Sequence, residues 1–342
     1  MLMISVRALS NSEKKLMLST NFDTKDSIMT TTLIMPKGKW NKHINYGLSL
    51  VVIAAFMTPF ILGTYWRIHR EMTFVFQDDF APCWEDDCVN GGIRISNWNF
   101  EFGDGSSYSA YQKGWGNGEV QCYTTQYENI HVEQNSDNKD DGVLVISSLY
   151  RDNQPKCNWT SARISSKDRR SFQWIRDKYN IFTIPINIEA RIKTSMERGS
   201  WSALWMLPQP PKTNRTCLGC GLYGPWCNSG EIDIMEHVNT RDTISVGTVF
   251  NESGFCNNDA FESPRFDMTQ WHVYRLEWSS EFVRWYVDGT LIRTTQLTGR
   301  AHPFNQPFYM ILNLAIGGTF PGYDIALTNQ SMYVDYVKAY YS

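Results

Sequence analysis

From about residue 74 onwards, apolar and polar positions alternate in short segments. The two-residue period and the β-branched or aromatic content typical of strands occur in Ile186–Lys193, His272–Trp278, Phe282–Val287 and Met332–Tyr341. The pair Asp288-Gly289, directly after the third segment, is a hairpin-turn signal. No helical repeat of three or four turns is visible. The pattern therefore predicts an all-β fold, a β-sandwich of two stacked sheets in a jelly-roll arrangement.

A different pattern occupies Ile44–Trp66, a run of 23 residues without a charge. Because about 20 helical residues cross the hydrocarbon core, this run predicts one hydrophobic helix that spans a lipid bilayer. A buried core helix is an alternative, although the run is apolar on every face. A cleaved signal peptide with a basic region starting at Met35 is another, although no A-x-A-like cleavage site follows the run.

Charge divides the chain at the same place. Residues 1–46 carry seven Lys or Arg and three acids, a net of +4, so the remainder carries −7 of the total of −3. The positive-inside tendency then favours a type II orientation, with the head in the cytosol and the catalytic region extracellular or lumenal; secretion after cleavage is the alternative. The expected organisation is a disordered basic head (1–43), a signal anchor (44–66), a linker (67–75) and a folded domain (76–342).

Composition narrows the classes of partner. A total charge of −3 argues against a uniformly basic nucleic-acid surface, and 42% hydrophobic residues argue against disorder in most of the chain. The 13 Trp, 17 Tyr and 18 Phe are more than core packing requires. We therefore expect no nucleic-acid partner and a surface role for some aromatic side chains.

All eight cysteines follow the apolar run, which favours disulfides formed in an oxidising compartment. Pairing of Cys83 with Cys88, and pairs drawn from Cys217, Cys220 and Cys227, look geometrically natural, with half a zinc site at Cys217-x-x-Cys220 as the alternative. Candidate glycosylation sequons also lie only after the run, at Asn158, Asn214, Asn251 and Asn329.

The candidate chemistry concentrates in the segment SGEIDIMEH, residues 229–237. In a plain strand Glu231 and Asp233 share one face and Glu236 lies on the other. A β-bulge that adds one residue between Asp233 and Glu236 would bring all three carboxyls to one surface and raise at least one pKa. Two close carboxyls suit retaining glycoside hydrolysis. The alternatives are an exposed acidic strand edge and a metal site that also uses His237.

These residues resemble the catalytic signature of glycoside hydrolase family 16, in the bulged form of its laminarinase-like endo-β-1,3-glucanases. Further strings follow in family order over residues 76–342: GWGNGEVQCYT, SARI, IEARIK, WSALWMLP, RWYVDG, PFYMILNLAIGG and VDYVKAYY. The resemblance implies a concanavalin A-like sandwich whose concave sheet binds a linear β-glucan. It implies Glu231 as nucleophile, Glu236 as acid/base and Asp233 as assisting acid.

The resemblance also implies sugar contacts and a structural ion. The expected contacts to the glucan are Trp115, Asn117, Glu119, Arg191, Trp201, Trp205, Trp226 and His237. Flat sugar faces pack on indole rings, which supports the tryptophans independently. Asp335 matches a position that helps to bind structural Ca²⁺ in many relatives. Catalysis requires no cofactor, and a monomer is expected.

Three departures from the family pattern affect substrate contacts. Phe250 stands where relatives often carry a His, and Gly118 replaces a commoner Asn. The insert Gln209–Cys227 is longer than the usual loop and would overhang the cleft. The expected function is a retaining β-1,3- or β-1,3/1,4-glucan hydrolase. A transglycosylase that remodels wall glucan and a non-catalytic β-glucan recognition protein are the alternatives.

Overall fold

The structure is a computed structural model that describes residues 2–8, 17–23, 28–35 and 72–342, apart from gaps at 136–140, 153–156, 214–215, 253 and 298–302. The chain divides into two units, Met1–Arg70 and Glu71–Ser342. The predicted membrane-spanning run 44–66 and nearly all of the predicted linker lie outside the described residues. Within the part that is described, no helix has both the length and the apolar run needed to cross a membrane.

The described residues of the first unit form three strands: β1 (Leu2–Ala8), β2 (Met17–Asp23) and β3 (Ile28–Met35). Strand β3 lies between the other two, parallel to β1 and antiparallel to β2. The Ile, Val and Thr residues of these strands favour extended backbone.

Ten strands of the second unit form the larger sheet. Eight of them follow one another as β22 (Thr290–Gln296), β21 (Phe282–Val287), β20 (His272–Trp278), β15 (Ile186–Lys193), β24 (Gln330–Tyr341), β10 (Gly142–Tyr150), β11 (Trp159–Ser161) and β8 (Gln121–Tyr123). Two more strands pair beside this path, β4 (Thr73–Asp78) with β24 and β9 (Ile130–Gln134) with β10. Strand β4, the first strand of the second unit, begins at Thr73, three residues before the predicted domain boundary at residue 76.

Seven strands form the second sheet. Their order is β19 (Phe255–Glu262), β18 (Ser245–Glu252), β17 (Glu231–Val238), β16 (Ser200–Pro208), β23 (Phe308–Ile316), β12 (Arg163–Ser165) and β7 (Asn99–Phe100). The smaller elements are the pair β5 (Cys88–Val89) and β6 (Ile93–Arg94), the pair β13 (Ile175–Arg176) and β14 (Thr183–Ile184), and a short 3-10 helix, Ala110–Gly116.

The predicted all-β class and the predicted strands are confirmed. Three of the four strands have the predicted bounds, and the fourth begins two residues earlier, at Gln330. The Asp288-Gly289 pair forms the turn between β21 and β22, with positive φ angles of 49° and 77°. Such angles suit Asp-Gly because the left-handed region costs Gly nothing and Asp little.

The two sheets enclose one hydrophobic core. On β15 the buried apolar residues alternate with side chains that face outward, and the buried ones are Ile186, Ile188, Ala190 and Ile192. Leu204 and Met206 of β16 meet the same core from the other sheet. Each fully buried aliphatic side chain contributes about 1.5–3 kcal/mol. The core therefore fixes which face of every strand turns outward.

All eight cysteines form disulfides, as predicted. The pairs are Cys83–Cys88, Cys122–Cys157, Cys217–Cys220 and Cys227–Cys256. The zinc alternative at Cys217 and Cys220 is therefore wrong. Of the sequon asparagines, Asn158, Asn251 and Asn329 are exposed, whereas Asn214 lies outside the described residues.

Candidate active site

Strand β17 carries a β-bulge at the centre of the seven-stranded sheet. On its β16 side, Leu204 lies opposite Met235 but the next residue, Trp205, lies opposite Asp233. Ile234 is therefore the extra residue. The register with β18 shifts at the same place. This is the bulge that the spacing of the acids requires.

The bulge places the three acids on one face of the sheet. Ile232 and Met235 turn into the core and are fully buried, whereas Glu231 and Glu236 are half-buried on the opposite face together with Asp233. Without the extra residue, Glu236 would point into the core. The extra residue shifts the alternation of side chains along the strand, so the three acids come together as one carboxyl cluster.

Burial and mutual repulsion shape the protonation of this cluster. Burial raises the pKa of Glu231 to about 7, against the lowering effects of a hydrogen bond from Trp226 and of the Arg163 cation. Burial and the charge of Glu231 raise the pKa of Glu236 to about 8. Burial and both neighbouring carboxylates raise the pKa of Asp233 well above its usual range. Glu231 is the member that ionises most readily.

Indole N–H groups hold each member of the cluster. Trp201 donates to Oε1 of Glu236 at 3.0 Å, and Trp226 donates to Oε2 of Glu231 at 2.7 Å. Trp285, on the ten-stranded sheet, donates to the backbone carbonyl of Asp233 at 2.7 Å. Hydrogen bonds to carboxylates are the stronger kind in proteins. The carboxyls of Glu231 and Glu236 are therefore oriented before any substrate enters, and the backbone of Asp233 is held in place.

Trp205 is fixed by a chain of hydrogen bonds. Its indole N–H donates to Oδ1 of Asn313 at 2.7 Å, and the amide of Asn313 donates to the hydroxyl of Tyr123 at 3.2 Å. Tyr123 donates in turn to Glu119 at 3.2 Å. Trp205 is half-buried, so one part of its ring stays accessible. This arrangement gives a rigid aromatic surface next to the carboxyls.

Arg163 belongs to the site but was missing from the sequence-based candidates. Its guanidinium lies 4.5 Å from the ring centre of Trp115 and 4.9 Å from that of Trp205, and the residue is 2% exposed. The charges of Glu101 and Glu119 favour its charged form. The string SARI contains this residue, but a single Arg on a strand carries no signal of burial.

The GWGNGE segment supplies partly hidden groups. Trp115 is 4% exposed and donates its indole N–H to the carbonyl of Gly103 at 3.2 Å. Glu119 is buried, which raises its pKa, and it accepts hydrogen bonds from Asn117 at 3.2 Å and from Gln121 at 2.6 Å. Only Asn117 of the three predicted contacts is half-exposed. Trp115 and Glu119 support the site from behind its surface.

Arg191 and His237 do not join the cluster, which corrects their prediction as sugar contacts. Arg191 lies on β15 in the other sheet, faces outward and pairs with Asp335 at 2.8 Å. His237 is fully buried on the core side of β17 and contacts the carbonyl of Arg241 through Nε2 at 2.7 Å. Alternation along a strand predicts which residues share a face. It does not predict which of the two sheets the strand joins.

The residues present do not fit the calcium site suggested at Asp335. Its carboxylate accepts a hydrogen bond from Nη1 of Arg191, and a guanidinium there repels a cation. Across the described part of the chain, no group of three or more His, Cys, Asp or Glu side chains is placed to hold a metal ion. The metal-binding alternative for the acidic signature therefore lacks structural support.

The insert Gln209–Cys227 covers part of the same sheet face. Its Leu218 packs with Trp205 against a small apolar cluster on β16 and β23, formed by Leu207, Tyr309 and Ile311. Phe250, in contrast, is buried in the core and packs edge-on against Phe304. Phe250, at the position where relatives often carry a His, therefore packs in the core of this chain.

A groove adjoins Glu236 on the β18–β19 side. It is lined by Glu236, Val238, Arg241, Thr243, Ser245, Ala260, Phe261, Glu262 and Phe320. Phe320 also meets the ring of Trp201 edge-on. The cluster thus has open space on one side and the fixed rings of Trp205 and Trp226 near it.

Comparison with known proteins agrees with this geometry. The sequence model of glycosyl hydrolases family 16 matches residues 123–338. The chain is 30% identical to a β-glucanase of Rhodothermus marinus over 77% of this chain and 87% of that protein. It is 30% identical to glucan endo-1,3-β-glucosidase A1 of Niallia circulans over 75% of this chain, which spans only 37% of that longer relative.

A solved structure shows the same fold. The laminarinase catalytic domain of Thermotoga maritima superposes with a TM-score of 0.62 and 30% identity, covering 80% of this chain and 99% of that domain. The residues matched by the family model, 123–338, include the bulged strand with its three acids. The chain belongs to glycosyl hydrolases family 16 and is a glycoside hydrolase.

Proposed function

We propose that this enzyme is an endo-acting β-glucan hydrolase that cleaves β-1,3-linked glucan with retention of configuration. One observation carries the proposal: the bulge at Ile234 places Glu231 and Glu236 on one face of the sheet, with Asp233 between them. Retaining hydrolysis needs two carboxyls on opposite sides of one glycosidic bond, close enough for direct attack. The names of the β-glucanase and laminarinase relatives support the choice of glucan.

In the first step, an oxygen of Glu231 attacks the anomeric carbon while the bond to the leaving oxygen breaks. Glu236 transfers its proton to that oxygen. The pKa of Glu236, raised to about 8, keeps the proton available at neutral pH. The Trp226 hydrogen bond and the Arg163 cation favour the ionised form of Glu231 that attack requires.

In the second step, water attacks the same carbon and breaks its bond to Glu231. The carboxylate of Glu236 takes a proton from that water and so returns to its initial state. Asp233 orients Glu231, and its own raised pKa limits the negative charge in the cluster. No cofactor enters either step.

The aromatic side chains supply the sugar-binding surface. Trp201 and Trp205 lie on β16 beside the carboxyls, and Trp226 is 48% exposed next to Glu231. Sugar rings pack their C–H faces on such rings. The groove beside Glu236 would take the leaving part of the chain, because Glu236 protonates the leaving oxygen.

The test uses the purified full-length chain with laminarin. NMR is expected to show short products whose first anomer is β, and Glu231→Gln is expected to lower kcat by at least about 10³-fold. Glu277→Gln, a strand glutamate of the other sheet, is the matched control. Substantial activity of Glu231→Gln would refute its role. First products of the α-anomer would refute retention, and products longer than the substrate would assign transglycosylation.

We further propose that the catalytic unit faces an oxidising, extracellular or lumenal compartment, anchored through residues 44–66. Four disulfides support the compartment, since reducing compartments keep such thiols free. The uncharged run and the basic head support the anchor. Sequencing the mature N-terminus tests this: a start after residue 66 would indicate cleavage instead.

A further inference from the structure

Trp226 lies at the end of the insert and touches the proposed nucleophile. Its indole N–H is 2.7 Å from Oε2 of Glu231, although 48% of the residue is exposed. An exposed Trp on a loop ordinarily samples several rotamers. A stable hydrogen bond to Glu231 therefore requires that the loop hold the ring.

Two features hold it. A Cβ atom built on Gly219 would lie 2.9 Å from Cβ of Trp226, so the Cys217–Cys220 turn packs directly against this residue. The following residue, Cys227, is joined by a disulfide to Cys256 on β19. The carbonyl of Cys227 also accepts a hydrogen bond from the N–H of Asn251 at 3.1 Å. The insert is thereby tied to the β18–β19 hairpin immediately beside Trp226.

We propose that the Cys227–Cys256 disulfide is a positioning device for catalysis, which holds Trp226 on Glu231 and so keeps the nucleophile oriented. This inference rests on the proposed role of Glu231. The cysteines touch neither substrate nor reacting atoms, so they act through Trp226. The bond links the insert to the sheet that carries the catalytic strand.

The proposal predicts a change in pH dependence with a definite sign. The charged groups that act on Glu231 are Arg163 from β12, and Asp233 and Glu236 from its own strand. The Trp226 hydrogen bond lowers the pKa of Glu231. Releasing Trp226 raises that pKa, so the acidic limb of kcat/KM moves to higher pH. A hydrogen bond to a charged group is worth a shift of about one pH unit.

The experiment compares variants of the full-length chain on laminarin. Cys227→Ala/Cys256→Ala and Trp226→Phe are each expected to move the acidic limb upward by about one unit and to lower kcat more than they change KM. In the Trp226→Phe background, removal of the disulfide is expected to cause no further shift. Cys122→Ala/Cys157→Ala is the matched control, since it opens a loop of 35 residues against 29. It is expected to leave the limb in place.

Two outcomes would overturn the proposal: an unshifted limb in the Cys227→Ala/Cys256→Ala variant, or full additivity of its shift with that of Trp226→Phe. If Glu231→Gln stays active, the proposed role of Glu231 is refuted. That result is distinct from a failure of the disulfide proposal alone, in which Glu231→Gln is inactive but the limb does not shift. Should the disulfide variant not fold, graded reduction of the native chain replaces it. Loss of activity is then expected to follow alkylation of Cys227 and Cys256; loss that follows Cys122 and Cys157 would contradict the proposal.

Discussion

The indole N–H of Trp201 donates to Oε1 of Glu236 at 3.0 Å, and this hydrogen bond lowers a pKa that burial raises. Trp201 stands opposite Val238 on the neighbouring strand, so its side chain reaches along β17 to the carboxyl. The ring therefore stabilises the deprotonated state of the residue proposed to donate a proton. If Glu236 is the acid/base as proposed, this contact is expected to set the alkaline limit of activity.

Replacing Trp201 with Phe should move the alkaline limb of kcat/KM to higher pH. Activity is lost as pH rises through the pKa of Glu236, and loss of the donor raises that pKa further. A shift of about half to one unit is expected. The measurement is a pH profile on laminarin, with Trp84→Phe, a highly exposed Trp, as the control. A downward shift would contradict the assignment.

Replacing Arg163 with Met should destabilise the fold strongly. The guanidinium is buried between two indole rings, and its removal leaves Glu101 and Glu119 without their compensating cation. Removing a buried cation that compensates other buried charges costs about 3–5 kcal/mol. Urea unfolding measures the change. The control is Arg169→Met at an exposed site, where less than about 0.5 kcal/mol is expected; equal effects would show that burial of Arg163 has no energetic consequence.

Restoring the family His at Phe250 should lower stability without improving substrate affinity. Phe250 packs against Phe304 in the core, and a buried imidazole there lacks the ring contact. We expect Phe250→His to cost about 2–4 kcal/mol, with an unchanged KM for laminarin among the molecules that fold. Phe255→His, at a 78% exposed position, is the control. A lower KM in Phe250→His would place this residue in the cleft.

The loss of stability caused by restoring the family Asn at Gly118 should depend on the side chain of Tyr323. A Cβ at Gly118 would lie 2.4 Å from the hydroxyl of Tyr323, so any larger residue displaces that side chain. Gly118→Asn alone is expected to lower the free energy of unfolding by about 1–2 kcal/mol. Combination with Tyr323→Ala should remove part of that loss. Thermal unfolding of the four chains measures the coupling, and strict additivity would contradict the contact.

The sequence predicted the parts of the fold that depend on local period. Alternation located β15, β20 and β21, and the spacing of Glu231 and Glu236 required the bulge that the structure contains. The same alternation could not place Arg191, because a strand pattern carries no information on sheet membership. It also could not pair Cys227 with Cys256, since eight cysteines allow 105 pairings.

The wrong prediction for His237 and the omission of Arg163 have related causes. His237 follows Glu236 directly, so the register that turns Glu236 to the cleft must turn His237 to the core. Arg163 looked like an ordinary strand residue because its partners, Trp115 and Trp205, come from distant parts of the chain. Long-range contacts of this kind leave no periodic signal in the sequence.

The hydrogen bond from Trp285 to the carbonyl of Asp233 joins the bulge that carries the three acids to the opposite sheet. The three acids all lie on β17, but the backbone at Asp233 is also held from the opposite sheet, across the core. Any loosening between the layers would disturb the bulge before the strands separate. Heating should consequently abolish turnover at a lower temperature than it melts the secondary structure.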